Sequence, residues 1–332
     1  MPELPEVETV ARDLRPRLVG ATIAGARTMW ARTLRSHTPE DFSEAVSGRR
    51  VEAVGRRAKQ VVVELSGGVA LTIHLKMTGQ LFVVPADAPE DPYVRLVLVL
   101  ADGREVRFRD IRKFGRIGLD GRDPVNGELL REVGGSAVFA ALGPEPLDPA
   151  FTVREFRLRS RLRKGRLKPL LLDQSFVAGV GNIYADEALW ASRLHPLRTA
   201  ATLRPRDERH LHESIRRILT EAIERRGSSI DDYTAPDGDG SMQEQLQVYQ
   251  RTGEPCPRCS RPLKRIVVGG RSTHFCSWCQ RLPAADRKGA AAILRTMTGS
   301  SRRGSGHWTE RTKRAAATRR ATARGSSIVG SP

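Results

Sequence analysis

The sequence contains no run of about 18 or more apolar residues, so nothing in it reads as a membrane-spanning helix. Its start lacks the basic region and apolar block of a secretory signal; Glu3, Glu6 and Glu8 stand there instead. A cytosolic location is therefore expected. No internal repeat is visible, which sets aside solenoids and propellers. Cysteine is scarce: Cys256, Cys259, Cys276 and Cys279 are the only four, all in one short stretch, and that excludes a disulfide framework. Acidic residues are also few, 38 against 56 Lys and Arg, giving a net charge of +18 and a pI near 10.8. Such an excess favours a polyanionic partner, with nucleic acid the default. From Ala284 onward there are 11 basic and 2 acidic residues, yet the chain before it is basic as well.

What is present fits a globular chain of two or more domains, with 332 residues and 39% hydrophobic content. Residues Pro5 to Leu18 read as a helix, with Val7, Val10, Ala11, Leu14 and Leu18 on one face. From Ala21 to about Leu119 the segments QVVVEL, VALTIHL, QLFVV, VRLVLVL and REVRF are short, rich in branched residues and separated by turns. An antiparallel sandwich or barrel is expected there, with Asp102-Gly103 as a hairpin turn. The second half is helical. A helix is expected from Asn182 to Leu194. The stripe Leu211, Ile215, Ile218, Leu219, Ala222 and Ile223, stopped by Gly227, marks another. The residues after Ala284 have little periodicity and read as a disordered basic tail.

Two features carry chemistry. The spacing Cys-x2-Cys-x16-Cys-x2-Cys suits four thiolates around one Zn²⁺, with no open position, so the metal is structural. Between the knuckles RPLKRIVVGGRSTHF reads as a β-hairpin turning at Gly269-Gly270, with Arg271 just past the turn and His274 pointing off the hairpin. Zinc ribbons serve DNA, RNA and protein binding alike, and on spacing alone Arg271 reads as a solvated arginine.

The second feature is the opening MPELPEVETV. A mid-chain lysine is only about 0.04% unprotonated at neutral pH, whereas a terminal amine is on the order of several hundred times more available. Removal of Met1 would make Pro2 a secondary amine able to form a charged iminium with an aldehyde-like carbon. Glu3 could shuttle protons beside it. Equally, Pro5 and the glutamates suit an ordinary helix start.

Taken with the zinc hairpin and the basic body, MPELPEVET resembles the opening of the formamidopyrimidine-DNA glycosylase family. RRAKQVVVEL, IHLKMTGQL, DIRKFGR, LGPEPL, LKPLLLDQ, VAGVGNIYADEAL and LQVYQRTGEPCPRC match in the expected order, over roughly residues 1 to 283. PELPEVE favours the purine-directed branch over the endonuclease VIII branch. The resemblance implies an α+β multidomain fold. An N-terminal antiparallel β-sandwich with an N-terminal helix spans residues 1–130 and a linker 131–150. A helix–two-turns–helix domain spans 151–244, a zinc β-hairpin 245–283 and the tail 284–332. It implies a monomer working in the cytoplasm on the nucleoid. The substrate would be double-stranded DNA carrying 8-oxoguanine or formamidopyrimidines, with excision followed by β- and δ-elimination.

The resemblance also assigns roles. Pro2 is the nucleophile, Glu3 the acid and base, Lys59 a strand-borne lysine aiding β-elimination, and Arg271 the arginine that holds the lesion's phosphate and aids the second, δ-elimination. Met77, Arg112 and Phe114 match the wedge that fills the gap left by an extruded base. Asn182 is expected as a helix N-cap that also meets a phosphate, next to Gly179 and Gly181. His74, Arg163 and Lys168 are expected DNA contacts, and Glu187 a contact or support. There are departures. Asp91 stands where a DNA-contacting histidine is common, and Ile111 where proline is frequent. The same chemistry on oxidised pyrimidines, and a non-catalytic damage-binding protein, are the alternatives.

Overall fold

A computed structural model of the chain describes residues 1–122, 129–132, 139, 141–229, 238 and 240–299. The acidic stretch at residues 231–241 lies mostly outside the described residues, and so does the expected tail from residue 300 on.

The chain opens with α1 (Leu4–Leu18), β1 (Ile23–Thr28), α2 (Pro39–Val46), β2 (Val51–Arg57), β3 (Gln60–Leu65), β4 (Val69–His74) and β5 (Gly79–Pro85). It continues with β6 (Val94–Leu100), β7 (Arg104–Asp110), β8 (Arg116–Arg122) and β9 (Leu129–Glu132). Two antiparallel sheets result, ordered β1-β6-β7-β5 and β2-β3-β4-β8-β9. The expected sandwich is present. Its core takes the apolar face of α1, Val7, Val10, Ala11, Leu14 and Leu18, and seats it against β-branched and leucine side chains of both sheets, among them Val54, Val63, Leu71 and Leu98. Burial of this kind stabilises by about 25 cal/mol per Å² of apolar surface. β9 pairs with β8, which carries the first domain's sheet to Glu132, past the boundary expected at residue 130.

The helical domain comprises α3 (Val153–Arg161), α4 (Leu167–Leu172), α5 (Asn182–Ala191) and α6 (Pro205–Glu224). α5 ends three residues before the expected Leu194, where Arg193 takes a left-handed conformation (φ 59°). Along α6, Leu211, Ile215, Ile218, Leu219 and Ala222 are buried as the stripe predicts. The zinc unit is built on β10 (Lys264–Val268) and β11 (Arg271–Phe275). Gly269 and Gly270 both have positive φ (55° and 72°), the geometry a tight two-residue hairpin demands.

The expectation of a structureless tail from residue 284 is corrected. α7 (Ala284–Arg287) and α8 (Ala291–Leu294) follow the hairpin, and Thr298 forms a β-bridge with Arg265. Ile293 and Leu294 pack on a small core of Leu197, Ile266, Val268, Phe275, Leu282 and Ala290. That core is assembled from separated segments, so it leaves no periodic signature in residues 284–299 themselves.

Candidate active site and nucleic-acid interface

α1 starts at the contact between the two domains, and its first carboxylate crosses that contact. Glu3 accepts N–H bonds from Gly181 (2.8 Å), Ile183 (2.8 Å) and Tyr184 (3.4 Å), the amides at the N-terminus of α5. A carboxylate there meets the positive end of the helix dipole and satisfies amides that the helix itself leaves unpaired. Glu6 lies one turn along and accepts from the backbone N–H of Glu3 (2.8 Å), that of Ser228 (2.8 Å) and the Tyr184 hydroxyl (2.5 Å). Burial, and then the charge of Glu3, push the Glu6 carboxyl above its ordinary range.

The glycines of VAGVGN make this approach possible. A Cβ on Gly181 would collide with the Glu3 carboxylate, and one on Gly179 (φ +85°) would stand 2.6 Å from the Leu4 side chain. The close approach they permit is that of α1. Asn182 is not the N-cap expected of it. Gly181 holds that position, and Asn182 is the first helical residue. Its Nδ2 donates to the Ser272 carbonyl on β11 (3.0 Å). Glu3, distant in sequence, does the work expected of a local cap.

Lys59 lies in the turn Ala58–Lys59 between β2 and β3, not on a strand as expected, and Ala58 has φ 53°. Glu145, within LGPEPL, holds that turn: it accepts from the Ala58 N–H (2.6 Å) and Arg57 Nη1 (2.8 Å) and is ion-paired with Arg56 Nη1 (2.7 Å). Lys59 is 8% exposed. Burial lowers its pKa, the negative charges of Glu3 and Glu6 oppose that, and Arg271 and Lys168 lower it further. Pro2 is buried and Met1 is 41% exposed; while Met1 is bonded to it, the Pro2 nitrogen is an amide.

Three further side chains support α5. Lys168 is 0% exposed, with Nζ donating to the Asn182 carbonyl (2.9 Å) and paired with Asp186 (2.6 Å). This placement corrects the expected DNA contact, because a buried ammonium already held by a carboxylate has no face for a phosphate. His274 does not point off the hairpin either. Its backbone N–H donates to Asp186 Oδ2 (2.8 Å), and its ring packs at 5.1 Å from that of Tyr249. Glu187 has the support role: it accepts the N–H groups of Gln247, Val248 and Tyr249, each at 2.9 Å, and burial raises its pKa. Asp186, Glu145 and Tyr184 were missed in the sequence; only their position inside matched motifs signalled them.

The expected wedge stands in solvent. Met77 is 36% exposed and Phe114 47%, and the Arg112 guanidinium lies 5.1 Å from the Phe114 ring centroid. Beneath them, Thr78 Oγ1 donates to Asp110 Oδ1 (2.5 Å) and accepts from the Arg112 N–H (3.2 Å), while the Gly115 N–H donates to Asp110 Oδ2 (2.7 Å). This buried clasp ties the β4–β5 and β7–β8 loops together. At the end of β4, His74 Nδ1 accepts from the Lys76 N–H (3.0 Å), and burial with Lys76, Lys59 and Arg35 nearby pushes its pKa down to about 3. Arg163 is exposed, 3.7 Å from Asp173. Asp91 is engaged by Arg109 (2.5 Å) and the Tyr93 N–H (2.7 Å), which offsets its charge where a DNA contact is common.

The four cysteine sulfurs lie within 4.8 Å of one another, with Cys256–Cys279 at 4.0 Å and Cys259–Cys276 at 3.5 Å. A tetrahedron with Zn–S near 2.3 Å has edges of about 3.8 Å, so the set fits one zinc ion. No helix among the described residues is long and apolar enough to cross a membrane.

Comparison with known proteins agrees with this geometry. The formamidopyrimidine-DNA glycosylase N-terminal domain matches residues 1–117, and the H2TH domain of the same family matches 142–234. The zinc finger found in FPG and IleRS matches 253–282. A formamidopyrimidine-DNA glycosylase of Herpetosiphon aurantiacus is 46% identical over 282 residues, covering 84% of this chain and 100% of that protein. One from Chloroflexus aurantiacus is 47% identical, covering 84% and 98%. The Lactococcus lactis Fpg in complex with abasic-site DNA superposes with a TM-score of 0.76 at 37% identity, covering 84% of this chain and 99% of that one. The Thermus thermophilus MutM (FPG) protein does so at 0.73 and 42% identity, covering 85% and 100%. With three domain matches in order and relatives aligned over nearly their whole length, the chain belongs to the formamidopyrimidine-DNA glycosylase family.

Proposed function

We propose that the amine of Pro2, freed by removal of Met1, attacks C1′ of an oxidised purine nucleotide held out of the duplex. The enzyme is a bifunctional DNA glycosylase and abasic-site lyase of base excision repair. In the first step the N–C1′ bond forms and the bond to the base breaks, the leaving base taking up a proton. Glu3 passes protons to and from the sugar as its ring opens, and the resulting iminium is the electron sink for loss of the 3′ phosphate. Lys59, its pKa lowered by burial, is suited to move protons in that elimination. Arg271 holds the phosphate, and Met77, Arg112 and Phe114 fill the emptied stack. Arg163, Asn182 and neutral His74 line the strand, with Lys168 as a support. The zinc ion holds the hairpin that carries Arg271. The protein works in the cytoplasm, on the nucleoid. Residues after 299, rich in arginine, add salt-dependent affinity for the phosphate backbone.

The start of α5, which holds the Glu3 carboxylate through the Gly181 and Ile183 amides and the Arg271-bearing strand through Asn182 and the Ser272 carbonyl, most supports this reading. Borohydride trapping tests it. Duplexes carrying 8-oxoguanine opposite cytosine are expected to crosslink to the protein, and Pro2→Gly or a retained Met1 to lower crosslinking about a thousandfold. Preference for thymine glycol would move the substrate to oxidised pyrimidines. Binding without trapping or cleavage on any lesion would reduce the protein to a damage binder.

A further inference from the structure

The zinc hairpin has two edges, and they are treated differently. The β11 edge is fastened to α5, through Asn182 Nδ2 to the Ser272 carbonyl and the His274 N–H to Asp186. A two-stranded hairpin is marginal by itself, and a bare strand edge leaves its N–H and C=O groups without partners. On the β10 edge the partner comes from beyond the family's zinc unit. The Arg265 N–H donates to the Thr298 carbonyl (3.1 Å), and the Thr298 N–H donates back to Arg265 (2.9 Å). Alongside, the Val267 N–H donates to Thr296 Oγ1 (3.3 Å) and Lys264 Nζ to the Gly299 carbonyl (2.6 Å).

The same segment is tied to the helical domain. Thr199 Oγ1 donates to Asp286 Oδ1 (2.5 Å), and the Arg166 guanidinium donates to the Gly289 carbonyl. Between these ties Ala290 is fully buried, and Ile293 and Leu294 pack on the core shared by Leu197 of the helical domain and Phe275 of the hairpin. Gly299 closes the turn: φ is +102°, and a Cβ there would stand 2.5 Å from the Leu263 carbonyl oxygen. Residues 284–299 thus touch the hairpin and the helical domain at once, while Arg271 projects from the hairpin's exposed tip.

We propose that residues 284–299 are a strap that fixes the zinc hairpin against the helical domain and so positions Arg271 for strand cleavage. The proposal rests on the reading of Arg271 as the phosphate-holding arginine. In physical terms the strap covers the β10 edge with one β-bridge and the flanking hydrogen bonds, and clamping both edges limits how far the tip can swing. The chemistry at Pro2 does not depend on that clamp, so the two activities should separate.

The test uses the full-length, zinc-loaded chain with Thr298→Pro and Gly299→Ala together. The first substitution removes the N–H given to Arg265, and the second obstructs the closing turn. Hydrogen exchange at the Arg265 and Val267 amides is expected to quicken about tenfold. Borohydride trapping on 8-oxoguanine DNA should stay within about twofold of the unaltered enzyme, and the δ- to β-elimination product ratio should fall about fivefold. Ile293→Asp, which attacks the strap's packing and none of its hydrogen bonds, should give the same pattern. Unchanged exchange in both variants would overturn the strap, and so would trapping that falls in step with cleavage. Arg271→Ala is the separating control. If it leaves the product ratio unmoved, the reading of Arg271 fails, and amide exchange alone decides whether the strap holds the hairpin.

Discussion

At the junction of the two domains the groups proposed for the chemistry are under cover, whereas at the loops proposed as the wedge they stand in water. Glu3 and Glu6 are 2% and 3% exposed and take backbone and side-chain hydrogen bonds from the opposite domain. Phe114 and Met77 are exposed, and the ordering devices beneath them, Asp110 and Thr78, are buried instead. Proton transfer at a sugar needs charges fixed in a dry, preorganised setting. Filling a hole in a base stack needs an apolar surface that leaves water only when DNA arrives. The same contrast fixes the direction in which each region should fail.

The junction should fail hardest. Gly181→Val would drive a side chain into the Glu3 carboxylate and force it off the α5 amides. A displacement near 1 Å costs about a hundredfold in rate, so single-turnover excision should fall by that factor or more. Thermal unfolding should show a loss of about 1–3 kcal/mol from the amides left unpaired. Excision near the unaltered rate would mean that Glu3 need not sit where it does. Zinc removal comes next. Chelation should unfold the hairpin that carries Arg271 and lower affinity for lesion DNA at least tenfold, while circular dichroism of the β-sandwich persists, because that sheet has its own core.

The wedge should fail more gently and in a different readout. Phe114→Ala removes an exposed ring, so stability should stay within about 0.5 kcal/mol. Excision from duplex DNA should slow about tenfold, while trapping on a single-stranded abasic site should barely change, because no stack needs filling there. Equal losses on both substrates would take Phe114 out of the wedge.

How much of this could be read in the sequence follows the same division. Features carried by local pattern were legible: the α1 face at 3.6-residue spacing, the β-hairpins, the four cysteines, the Gly269-Gly270 turn. Met77, Arg112 and Phe114 lie in the loops after β4 and β7 and are exposed, where Met77 and Phe114 alone would read as β-core. The junction was half legible. Glu3 and Lys59 could be named, but their partners could not, because Glu3 caps amides near residue 181 and the Lys59 turn is held by Glu145. Lys168 shows the cost of that blindness. In sequence it is one more cation in a basic stretch; in the fold Asp186 takes it out of solvent. Residues 284–299 went unread for the same reason, since their partners are Arg265, Arg166 and Thr199.

The smallest effect expected on catalysis concerns Glu6, which shares the junction's burial without a place in the bond-making, so its effect is read in stability. Its pKa is raised in the folded state, so the fold favours the protonated form over the charged one. By linkage, that contribution is fully present below the ordinary glutamate range and is lost as pH rises through the raised value. Glu6→Gln cannot titrate. One end of its amide must also face a donor, the Glu3 or the Ser228 N–H, that now meets oxygen. The variant should therefore be less stable than the unaltered chain by about 1–3 kcal/mol, with the gap widest in acid and narrowing toward neutral pH. Denaturant unfolding at two pH values on either side of the transition measures it. A gap that widens with pH would mean that Glu6 is held as a carboxylate throughout, with the three donors around it outweighing burial and the charge of Glu3.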